Sequence, residues 1–120
     1  MYKGRLLLIK ALLCRKSTQP LVEDGGKFRN YPLFPFDSLR RFEMYSIEVD
    51  CGGELAAEAH PQGTEEFIAV FSGEITITIG GENFAVAAGD SIRFKADRPH
   101  AYRNNGPGSC NLSMVIYYPV

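Results

Sequence analysis

Phe67-Ile-Ala-Val-Phe71-Ser-Gly73-Glu74-Ile-Thr-Ile-Thr-Ile79-Gly80-Gly81 reads as a strand, a turn, a second strand and a hairpin. Residues 67–71 are apolar on both faces, as a strand inside a sandwich should be. Ser72-Gly73 then turns the chain. From Glu74 to Ile79 polar and apolar residues alternate with period two, the signature of a half-buried strand. Gly80-Gly81 closes the pair as a hairpin.

Outward from this segment the same grammar continues. Residues 19–22 and 27–34 flank the turn Asp24-Gly25-Gly26, and Pro32 and Pro35 mark the second run as an edge or irregular strand. Residues 43–50 end at Gly52-Gly53, and 83–86 end at Ala88-Gly89-Asp90. Residues 91–95, 100–103 and 111–118 complete the set. About nine short strands between Gly, Asp and Asn turns predict an all-β fold, a small barrel or double-sheet jelly roll. No repeat, low-complexity tract or linker interrupts it, so residues 19–120 read as one domain behind an N-terminal arm, 1–18.

With 120 residues and 45% hydrophobic content the chain can bury a core, and 22% charge suits a soluble globule. A net charge of −1 excludes a whole-chain basic footprint, so no direct nucleic-acid contact by this chain alone is expected. Cys14, Cys51 and Cys110 are odd in number, widely spaced and without CxxC, which suits free thiols in a reducing cytoplasm. The arm carries Lys3, Arg5, Lys10, Arg15 and Lys16 around Leu6-Leu-Leu-Ile9 and Leu12-Leu13. Lys10 interrupts the apolar stretch and Leu13 replaces the small residue that cleavage before Cys14 needs, so no signal peptide or membrane span is predicted. The arm reads as a short helix or added strand packed on the barrel or on a second subunit, or as the trailing edge of a DNA-binding module.

The only two histidines lie in His60-Pro-Gln-Gly-Thr-Glu65-Glu66 and in Arg98-Pro-His100-Ala-Tyr102. Strand alternation turns Glu66 inward with Ile68 and Val70, turns Phe67 and Phe71 outward, leaves Glu65 in solvent and puts His100 and Tyr102 on one face. His60, Glu66 and His100 then form a three-ligand facial set with open positions, the raw material of a divalent metal site. Zinc, iron, manganese and nickel all suit these donors. A histidine in a strand is otherwise a satisfied core or surface group. Tyr102 and Arg93 are candidate ligand contacts, Asn104 and Gly106 turn the chain, and Gly89-Asp90 is a turn and not a catalytic dyad. No catalytic residue is assigned. The outward Phe67 and Phe71 and the Leu-rich arm predict a homodimer.

These segments resemble the two motifs of the cupin superfamily, small β-barrels that often hold a metal in the mouth. Glu66, six further residues and Gly73 match the back half of the first motif, while counting from Gly53 sets the two expected histidines on Ala59 and Pro61, with His60 between them. In the second motif ten residues separate Gly89 from His100 and three separate His100 from Asn104, with Lys95 and Asp97 at the family's internal Pro and Gly positions. A narrower set looks like the C-terminal sensor half of bacterial regulators with an N-terminal helix-turn-helix. It comprises Leu33-Phe-Pro-Phe-Asp37, Arg41-Phe-Glu-Met-Tyr45, Gly63-Thr-Glu-Glu66 after His60, Arg98-Pro-His-Ala-Tyr102 and Val115-Ile-Tyr-Tyr-Pro119. That resemblance implies a single first-motif histidine and a small-molecule effector, an amino acid or organic acid, bound by a metal-holding domain. Two alternatives stay open: a small metal-dependent dioxygenase, isomerase or lyase, and a metal-free scaffold.

Overall fold

A computed structural model describes residues 10–119. Among them are ten strands: β1 (Leu21–Glu23), β2 (Phe28–Phe34), β3 (Phe42–Val49), β4 (Glu54–Ala57), β5 (Glu65–Ser72), β6 (Glu74–Ile79), β7 (Glu82–Ala87), β8 (Ser91–Lys95), β9 (His100–Arg103) and β10 (Cys110–Tyr117). They build a six-stranded sheet, β1-β2-β3-β10-β5-β8, and a four-stranded sheet, β4-β9-β6-β7. The pairings are antiparallel throughout. The hydrogen bonds thus close two sheets in a jelly roll and not one continuous barrel.

β4 is the strand the sequence reading missed. Glu-Leu-Ala-Ala has no β-branched or aromatic residue, so its strand conformation comes from pairing with β9 and not from propensity. In β5 and β6 alternation sets the faces as expected. Ile75 and Ile77 are fully buried while Thr76 and Thr78 face outward. Glu66, Ile68 and Val70 point between the sheets, while Phe67 and Phe71 are exposed at 39% and 69%. Ile47, Val49, Leu112 and Met114 from the larger sheet meet Ile75, Ile77, Val86 and Tyr102 from the smaller one. Each such side chain contributes about 1.5–3 kcal/mol by leaving water.

The proline-bearing end of β2 behaves as an irregular edge. β1 pairs only with Phe28 to Asn30, and the register to β3 shifts between Pro32 and Phe34. Residues 10–18 form neither the helix nor the strand anticipated for the arm, and 1–9 lie outside the described residues. Lys16 ties the arm to the larger sheet instead, 3.6 Å from Glu48 and 4.1 Å from the centroid of the Tyr31 ring. The three cysteines are free; Cys14 and Cys51 are exposed, and burial pushes the inaccessible Cys110 thiol up to about 11. Among the described residues no helix is long and apolar enough to cross a membrane.

Candidate metal centre

Glu66 is a carboxylate near the start of β5, 1% exposed, and burying such a charge is costly unless it is paired. Three side chains answer it. His100, across the gap on β9, brings Nε2 to 3.1 Å from Oε2. His60, from the loop between β4 and β5, brings its Nε2 to 3.4 Å from the same oxygen. Tyr102, two residues along β9 from His100, donates its hydroxyl to Oε1. The two-residue spacing gives His100 and Tyr102 one face, as alternation requires.

The loop that carries His60 is held by backbone. Its N–H donates to the Ala96 carbonyl at 2.9 Å, and the Ala96 N–H donates back to Thr64 at 2.8 Å. Gly63 adopts φ +87°, and a Cβ there would lie 2.8 Å from Cγ of Pro119, so glycine serves both conformation and space. Its N–H donates to Asp97 at 2.8 Å. Arg98 and this backbone donor keep the Asp97 carboxyl below its ordinary range, the Gly63 bond foremost.

Burial works to raise the pKa of Glu66, but bonds from His100, His60 and Tyr102 outweigh it and hold the carboxyl below its usual range. Burial works to lower that of His100, and the Glu66 carboxylate with the Arg98 carbonyl outweighs it, so the imidazole is raised. Burial first, then the Glu66 charge, keep Tyr102 a protonated donor well above pH 10.

The donor set fits a divalent cation. With bonds of about 2.1 Å, two donors subtending roughly 90–110° at a metal lie about 3.0–3.4 Å apart. The two nitrogen-to-Oε2 distances fall in that interval, and the three donor atoms lie within 4.8 Å of one another. Nδ1 of His100 lies 2.8 Å from the Arg98 carbonyl oxygen, the bond that orients a metal-ligating imidazole and leaves Nε2 for the ion. His60 is the rim member, its side chain 28% exposed, so the cluster is reached from one side.

The family model described as Cupin domain matches residues 46–117. The chain is a cupin. It is 33% identical over 87 residues to the HTH-type transcriptional regulator SutR of Escherichia coli, covering 72% of this chain and 49% of SutR. It is 30% identical over 92 residues to the HTH-type transcriptional regulator PuuR of the same organism, covering 77% of this chain and 43% of PuuR. The chain therefore spans about half the length of the curated relatives it matches. Among solved structures, the cupin domain of an XRE family transcriptional regulator from Enterobacter cloacae superposes with a TM-score of 0.75. Identity there is 33%, and the match covers 78% of this chain and 99% of that one. An HTH_3 family transcriptional regulator from Vibrio cholerae shares the fold at a TM-score of 0.75 and 22% identity, covering 79% of this cupin and 53% of that chain.

His60, Glu66, His100 and Tyr102 are thus brought together in the cupin, with the buried Tyr102 hydroxyl bonded to Glu66. Arg93 is not brought to them. It pairs in register with outward Phe67, its side chain is 67% exposed, and its partner is Glu65 at 3.9 Å. One residue off phase, Phe94 takes the inward place. Asn104 is a structural pin: its amide donates to the carbonyls of Val49 and Gly108, at 2.9 and 2.8 Å. Arg41, Glu43 and Tyr118, beside the cluster, went unassigned. The alternation Glu43, Tyr45, Ile47, Val49 on one face of β3 was the available signal.

Proposed function

We propose that this cupin holds a divalent cation on His60, Glu66 and His100 and senses a small molecule that reaches it from the open end. It would act as the effector-binding part of a transcriptional regulator, in the cytoplasm and as a homodimer. The observation that carries this reading is Oε2 of Glu66 between two imidazole nitrogens, at 3.1 and 3.4 Å. Kinship with cupin domains of helix-turn-helix regulators supports the regulatory part.

When bound, the ion would supply a Lewis-acidic site with open positions for a carboxylate or amine of the effector. The chain's own residues do the rest. Tyr102 donates to the second Glu66 oxygen, the Arg98 carbonyl orients His100, and Phe94 packs edge-on against His100 with centroids 5.4 Å apart. These contacts keep water from the inner side, so an incoming ligand competes for the rim side near His60.

Metal analysis of the purified protein, with titration of the chelator-stripped protein by zinc, manganese, nickel and Fe(II), tests the reading. One equivalent should bind, and His60→Ala with His100→Ala should abolish it. No binding by the wild type, or unchanged binding by the double variant, removes the metal site. An effector binding the native state would raise the Tm of the loaded protein.

A further inference from the structure

A second wall adjoins the cluster. Phe36, Arg41, Glu43, Pro61, Tyr118 and Pro119 line an open cavity of about 320 Å³, near the small end of the range for small-molecule sites. Tyr118 is shared between the two: its ring meets His60 edge-on with centroids 6.1 Å apart and Phe36 at 5.4 Å. Glu43 pairs with Ile116, and Ile116 with Glu66, so the two carboxylates lie on one transverse row of the larger sheet. Their backbones are roughly 10 Å apart, two strand spacings.

Both charges in this wall are held in place. Arg41 donates from Nε to the Tyr118 carbonyl at 2.9 Å and from Nη2 to the Pro119 carbonyl at 3.1 Å. Its backbone sits at φ 63°, a left-handed conformation that costs a non-glycine residue on the order of 1–2 kcal/mol. Strain of this kind persists where the surroundings over-determine it, and it concentrates at ligand clamps. Two bonds leave three of the five guanidinium N–H donors for a ligand. Glu43 accepts the Tyr118 hydroxyl at Oε1, and a carboxylate offers about four acceptor positions, so it too keeps capacity. In the same wall Thr64 is fully buried, and its Oγ1 has no hydrogen-bond partner.

We propose that this cavity binds a small zwitterion of the α-amino-acid type with an apolar side chain. Its carboxylate would lie on Arg41 and its ammonium on Glu43. Phe36, Pro61 and Pro119 supply the apolar surface. A dicarboxylate would set its second charge against Glu43, and a polyamine would set one of its charges against Arg41, so the pair of opposite charges discriminates against both. The inference rests on the effector-sensing reading and names the ligand class, but it does not require the metal.

The test is calorimetry and thermal shift with L- and D-leucine, valine, methionine and phenylalanine, their amides and their N-acetyl derivatives, on chelator-stripped and zinc-loaded protein. At least one free amino acid should bind at millimolar concentration or below, with its amide and N-acetyl forms weakened at least about tenfold. Glu43→Gln should weaken the free amino acid by a similar factor while leaving zinc affinity unchanged. Arg41→Gln also frees the Tyr118–Pro119 segment, so Arg41→Lys is measured beside it: the charge remains, the fork is lost and affinity should fall. Silence across the free amino acids, or equal binding of the amides, overturns the inference. Zinc binding with silent amino acids would refute this inference and spare the metal reading; amino-acid discrimination without zinc binding would do the reverse.

Discussion

Nδ1 of His100 lies 2.8 Å from the carbonyl oxygen of Arg98, so that nitrogen carries the hydrogen of the bond. Nε2 of the same ring faces Oε2 of Glu66 at 3.1 Å, also an acceptor. With Glu66 ionised, only two species satisfy both sides of the ring: an imidazolium, or a neutral imidazole with a cation in place of the second proton. Metal uptake should therefore release a proton from His100. Zinc titrations near pH 6.5, in buffers of different ionisation enthalpy, should report proton release that falls as pH rises past the raised pKa. Release that does not vary with pH would mean His100 is not the exchanging group.

Tyr102→Phe keeps the ring in the core and deletes the donor to Oε1 of Glu66. A buried acceptor left without its partner costs about 1–3 kcal/mol, read as a lower urea midpoint at unchanged m-value. Metal affinity should also drop, by about 10–100-fold, because the carboxylate loses its orienting contact. A neutral outcome on both measures would remove Tyr102 from the site's support.

Two opposed linkages shape the acid–base stability of the metal-free protein. The Glu66 pKa is lowered from 4.5 on folding, so its contribution is present above that value and is lost as pH falls through the folded pKa. The His100 pKa is raised from 6.5, so its contribution is complete below that value and is lost as pH rises through the folded pKa. The Tm of the stripped protein should peak between these limits. Glu66→Gln should flatten the profile on both sides, since each shift depends on the pair. An unchanged profile in that variant would contradict the coupling.

Two glycines differ in what surrounds them. A Cβ on Gly73 would fall 2.3 Å from the Ser109 carbonyl oxygen, and one on Gly63 would fall 2.8 Å from the Pro119 ring. Both residues have positive φ. Gly73→Ala must displace backbone, whereas Gly63→Ala displaces only the side-chain ring of Pro119. Each should lose at least about 1–2 kcal/mol from the conformation alone, with Gly73→Ala the worse. Chemical denaturation of the two variants decides the order.

Phe71 is 69% exposed at a bulge where the register between β5 and β10 shifts, and it lies on the sheet face that carries Phe67 and Tyr117. A second copy of the chain would cover that face. Phe71→Ser should convert a dimeric mass in light scattering to a monomeric one while changing stability by within about 0.5 kcal/mol at low concentration. A monomeric wild type removes the dimer.

The faces of β5, β6 and β9 were legible strand by strand, because a period of two sets Ile68 and Val70 with Glu66, Ile77 with Ile75, and Tyr102 with His100. The outward position of Arg93 on β8 was not legible in this way. Nothing local distinguishes its phase from that of Phe94 until β8 is laid against β5, where it pairs with outward Phe67. β4 was invisible because Leu55, Ala56 and Ala57 take strand geometry from β9 and not from their own preferences. The arm's apolar residues suggested a regular element, yet its described part is held by side-chain contacts of Lys16.

By itself the order of residues determined an all-β cupin and singled out two histidines and one glutamate as candidate metal ligands, because alternation and turn residues are local properties. Only the folded chain decided which oxygen the imidazoles share, that Tyr102 serves Glu66, and that Arg41 and Glu43 wall one cavity with Tyr118. Those relations join residues up to 78 positions apart, as between Arg41 and Pro119. They arise from the packing of two sheets, and no short-range pattern encodes that.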